Sequence, residues 1–84
     1  MPEQPRILYN LALLENSQSN FKEAENYFLK ALKAEPDNFD FLYAICTFYL
    51  QKNQKIEAQK YAKHIMAKFP NNPTGKQLLQ ETLK

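Results

Sequence analysis

The stretch FDFLYAICTFYL, residues 39–50, decides the fold. Its ionisable groups are Asp40, the phenols of Tyr43 and Tyr49, and the thiol of Cys46. Its apolar residues fall on every side of a helical wheel, and a helix apolar all round must be covered on several sides. The run is too short for a membrane span, which needs ~20 residues. It is longer than the roughly 4–8 residues of a buried strand, so it reads as a central buried helix. The flanking residues must then supply the helices that cover it.

Upstream, residues 21–34 place Phe21, Ala24, Phe28, Ala31 and Leu32 on one helical stripe. That helix ends at Glu35-Pro36, because the residue before a proline avoids the helical region. The polar run Glu15 to Asn20 is a turn in which Ser19 or Asn20 caps the next helix. Before it, Arg6 to about Ser17 carries Ile7, Leu8, Leu11 and Leu14 at helical spacing, opened by Pro5 after a short lead-in containing Pro2. Downstream, the central helix, capped by Asp37 or Asn38, runs to about Lys52, and Asn53 suits a left-handed terminator. A fourth helix spans Gln54 or Lys55 to Lys68 and stops at Phe69-Pro70. A last one begins near Pro73 with Asn72 as cap and bears Leu78, Leu79 and Leu83. The expectation is five helices in one domain, residues 1–84.

Composition agrees: one glycine, no tryptophan, and many helix formers. The lone cysteine, Cys46, excludes an intrachain disulfide framework and reads as a buried, inert thiol. The N-terminal residues lack a basic segment followed by an apolar run, which fits a cytoplasmic location. His64, the one histidine, lies among Lys60, Lys63 and Lys68 and reads as exposed. Glu23 and Glu25, two apart on a helix, point to different faces. Gly75 stands alone, so no phosphate-cradling loop is present. No catalytic residue, cofactor or metal site is expected. Charge is uneven: residues 1–42 hold four cations against seven acids, net −3, and residues 43–84 hold seven against two, net +5. The lysines of the fourth helix read as a solvated face, and with no arginine there, nucleic acid is not the expected partner.

An internal repeat underlies the helices. Residues 5–38 laid over 39–72 without a gap match at seven places, including Leu8/Leu42, Tyr9/Tyr43, Ala24/Ala58, Tyr27/Tyr61 and Pro36/Pro70. A helix pair repeating at ~34 residues resembles the tetratricopeptide repeat (TPR). The family's large, small and proline positions hold Leu8, Leu11, Ala12, Ala24, Phe28, Ala31 and Pro36 in the first repeat. The second has Leu42, Ile45, Cys46, Ala58, Ala62, Ile65 and Pro70, with Tyr49 at an aromatic position. Glu15 replaces that aromatic in the first repeat, Ser19 and Asn53 stand for the turn glycine, and Ala62 and Ile65 exchange the sizes of their sites. The resemblance implies an all-α, TPR-like superhelix: two helix-turn-helix repeats, 5–38 and 39–72, and a capping helix, 73–84.

The resemblance also implies a protein–protein interaction module in which the first helix of each pair lines a concave groove. The corresponding residues are Arg6, Tyr9, Leu13 and Asn16, then Asp40, Tyr43, Thr47 and Leu50, with Gln77 and Glu81 (and Thr74) from the last helix. The family's carboxylate clamp is missing, because Tyr9, Leu13 and Ala44 occupy its places. A groove of tyrosines and aliphatics suits an apolar peptide or helix segment. The alternative is a scaffold element that self-associates through its ends, or a piece of a longer array. Ile7 and Leu14 at one end and Leu78, Leu79 and Leu83 at the other lack the polar face expected of a cap.

Overall fold

The computed structural model describes residues 4–84; Pro2, placed in the lead-in from sequence, lies outside the described residues. Five helices and no strand occur among them: α1 (Pro5–Ser17), α2 (Phe21–Ala34), α3 (Phe39–Gln51), α4 (Lys55–Lys68) and α5 (Thr74–Thr82). The chain forms two compact units, Met1–Phe41 and Leu42–Lys84, so the break falls within the first turn of α3.

Local chemistry explains the boundaries. After α1 and α3 the chain turns through a left-handed residue, Ser19 at φ 65° and Asn53 at φ 60°. In both turns the next amide reaches back five residues, Asn20 N–H to the Glu15 carbonyl and Gln54 N–H to the Tyr49 carbonyl, each at 2.9 Å. These are Schellman closures built without the usual glycine. They also correct the expected capping of α2: Asn20 precedes the helix, but its side chain makes no capping hydrogen bond. Ser19 takes up the left-handed turn, and Asn20 opens α2 through its carbonyl, which accepts from the Ala24 amide at 3.0 Å. At the other two boundaries asparagine does cap. Asn38 Oδ1 accepts from the Phe41 amide at 3.2 Å, and Asn72 Oδ1 from the Thr74 amide at 2.9 Å. Glu35 and Phe69, each before a proline, leave the helical region at φ −135° and −129°.

In the first unit α1 packs on α2. Leu8, Ala12, Ala24, Phe28, Ala31, Leu32 and Phe41 form its buried apolar set. Small Ala12 and Ala24, both fully buried, let the helices approach closely, and Phe28 fills the space beside them. In the second unit α4 packs on α5. Ala58, Ala62 and Ile65 are fully buried, so the exchange of large and small sites between Phe28/Ala31 and Ala62/Ile65 is absorbed within the core. Gly75 sets how closely α5 approaches. A Cβ added there would stand 2.8 Å from the backbone nitrogen of Met66 and 3.1 Å from the Ala62 carbonyl oxygen. His64, expected to be exposed, is half-buried on α4.

Candidate interaction surface

The central helix comes closest to the all-round burial that its composition demands. Phe41, Leu42, Ala44, Ile45, Cys46, Phe48 and Tyr49 are all buried. The residues of α3 that remain accessible include, besides half-buried Phe39 and exposed Gln51 at its ends, a narrow stripe. Asp40 and Tyr43 are exposed, Tyr43 at 45 %, and Thr47 and Leu50 are half-buried. Their spacing of 3, 4 and 3 keeps them on one side of the helix. Thr47 donates its hydroxyl proton to the Ala44 carbonyl at 2.9 Å, which leaves the oxygen lone pairs as acceptors.

On the first unit, Tyr9 is half-buried. Its ring stacks on Phe41 at 5.1 Å between centroids and meets Phe28 edge-on at 6.4 Å. The Arg6 guanidinium lies 5.2 Å from the centroids of both Tyr9 and Phe41, and it donates to Asp40 Oδ2 at 3.4 Å. Both ends of that ion pair are more than half exposed, so its net stabilisation is small, under about 1 kcal/mol. Leu13 is exposed at 42 % and Asn16 is half-buried. On α5, Gln77 and Glu81 are exposed and Thr74 is half-buried; the Glu81 carboxylate accepts from Lys84 at 3.0 Å.

Two open clefts, one lined by residues 68–73 and the other by Leu8, Lys30, Lys33 and Ala34, contain none of these residues. The candidate residues lie in strips, on each of α1, α3 and α5 in turn. Nothing in the sequence singles out Phe41 within its apolar run. The apolar pattern of α3 shows that it is buried, but not that it carries Tyr9 and Arg6.

Of the residues expected at exposed ends, Ile7 and Leu14 are 52 % and 50 % exposed and Leu83 is 71 %. Leu79 is half-buried. Leu78 is a correction: it is buried at 7 %, on the helix that packs against α4, and offers nothing to a partner.

Cys46 is fully buried, with its thiol donating to the Ala58 carbonyl at 3.3 Å, and burial pushes its pKa up to about 11. That removes it as a nucleophile at neutral pH. Among the described residues no group of three or more His, Cys, Asp or Glu could hold a metal ion, and no helix is long and apolar enough to cross a membrane.

A family model described as tetratricopeptide repeat matches residues 15–81. No curated protein and no solved structure matches the chain.

Proposed function

The chain belongs to the tetratricopeptide repeat family, whose repeats serve in general as protein–protein interaction modules and are typically non-catalytic, and from that premise we propose that it binds a peptide or helical segment of a partner protein through accessible residues of the first helix of each pair. The carrying observation is the accessible stripe on a largely buried α3: Asp40, Tyr43, Thr47 and Leu50. Arg6, Tyr9, Leu13 and Asn16 of α1 and Gln77 and Glu81 of α5 are the further residues proposed to meet a partner. Tyrosine supplies contact area and a hydroxyl at low entropic cost. With Arg6 and Asp40 already paired, the stripe is close to neutral, which suits an apolar segment more than a charged tail.

The test starts from peptides selected by display on the wild-type chain. Tyr43 is exposed, so Tyr43→Ala should leave the melting temperature within about 2 °C while weakening those peptides about tenfold or more. Tyr9→Ala should weaken binding too, at some cost in stability, because Tyr9 stacks on Phe41. Selected peptides that bind Tyr43→Ala as tightly as wild type would remove the stripe as the binding surface. A second reading, self-association through Ile7, Leu14, Leu79 and Leu83, draws on the exposure of the first two and the last.

A further inference from the structure

The exposed face of α4 has features that the α3 stripe does not use. In the second unit seven lysines stand against two acids, and one of those acids, Glu81, already holds Lys84. Along α4, Ile56, Lys60, Lys63 and Ala67 follow one another at intervals of four, three and four, which keeps them on one helical face. All four are exposed, and Ile56 at 79 % is an unusually open large apolar side chain. The opposite face of the helix, Ala58, Ala62 and Ile65, is fully buried, so the presentation of the strip is fixed. Lys63 and Lys60 form no ion pair among the described residues; Lys60 rests 5.4 Å from the Tyr61 ring centroid. At 1.5 Å of rise per residue, the two ammonium stems stand about 6 and 10 Å along the axis from Ile56.

We propose that this face docks an acidic segment of a partner protein, with carboxylates opposite Lys60 and Lys63 and an apolar side chain against Ile56. Charge complementarity selects that occupant: unneutralised ammonium groups beside one exposed aliphatic match acids interleaved with an apolar residue. A nucleic acid fits less well. The unit contains no arginine, and the strip offers no aromatic ring on which a base could stack. A lipid surface fits less well too, because an interfacial helix needs a continuous apolar face and that face of α4 is turned into the core.

The test is fluorescence anisotropy of a labelled glutamate decapeptide carrying two central leucines, titrated with the full chain at low salt. Saturable binding is expected, weakened about tenfold or more in Lys60→Glu/Lys63→Glu and reduced at high salt. Ile56→Ala should weaken it a few-fold, while Tyr43→Ala should leave it unchanged. Lys22→Glu/Lys30→Glu makes the same change in net charge on the first unit and should have little effect. The affected residues are exposed, so far-UV circular dichroism of every variant should match wild type. Absence of binding at low salt would overturn the proposal, as would equal losses in both charge-reversed pairs. Tighter binding of oligothymidylate, or of anionic phospholipid vesicles, through the same two lysines would overturn it as well.

Discussion

At the scale of the residue, Cys46 shows how burial converts into a pH dependence. Its thiol has an ordinary pKa of 9.0, raised to about 11 by desolvation. Above pH 9 the unfolded chain releases the thiol proton while the folded chain keeps it. The native state then binds more protons than the unfolded one, so stability falls as pH rises through this window. The contribution is fully present below pH 9 and is lost by about pH 11. At ~1.4 kcal/mol per unit, it amounts to roughly 2–3 kcal/mol. Lysines and tyrosines titrate over the same range, so the useful quantity is the difference between wild type and Cys46→Ala. In urea titrations that difference should shift in favour of the variant by about 2–3 kcal/mol between pH 8.5 and 11. A difference independent of pH would show that the thiol titrates normally in the fold. The burial of Cys46 was legible in the sequence, because it sits inside an apolar run and takes the place of Ala12 one repeat earlier.

At the scale of the element, periodicity exposed the helices almost to the residue. Phe39, Lys55 and Ala34 stand where proline, asparagine and helical spacing put them. The turns were legible only in part. Ser19 and Asn53 were recognisable as stand-ins for glycine because they lie one repeat apart. The backbone bonds that close these turns leave no mark in residue type, and neither does the absence of a capping bond from the Asn20 side chain. In the sequence Gly75 signals only that a glycine-rich phosphate loop is lacking, yet it governs the packing of α5 on α4. In an exposed helix, Gly→Ala is stabilising by about 1 kcal/mol. Here the sign reverses, because the new methyl would stand 2.8 Å from the Met66 backbone nitrogen, which cannot swing aside as a side-chain tip can. Gly75→Ala should therefore destabilise the chain by about 1–3 kcal/mol in denaturant titrations. A stabilised variant would mean that α5 is free to slide along α4.

At the scale of the whole molecule, exposed apolar side chains and uneven charge make opposite forecasts for self-association. The two compact units carry net charges of −3 and +5, and attraction between opposite units of two copies would fade within a Debye length as salt rises. Contact through Ile7 and Leu14, which sit two turns apart on α1, and through Leu83 would be indifferent to salt. Those side chains are few, so the area they bury falls below the roughly 1,000 Å² of a durable interface. The resulting association should be weak and visible only at high protein concentration. Apolar burial is the stronger term, since exposed charge pairs are each worth under about 1 kcal/mol and pay for side-chain order. Sedimentation equilibrium over a wide concentration range should accordingly show a growing average mass that persists at high salt. Ile7→Lys/Leu14→Lys, at positions already half open to water, should return it to that of a single chain without loss of helicity. Single-chain mass at every concentration in the wild type would refute self-association through these side chains and leave partner binding at the accessible stripe of α3 as the proposed role. Association that vanished with salt would assign it to the opposed charges, and Lys60→Glu/Lys63→Glu should then abolish it as well.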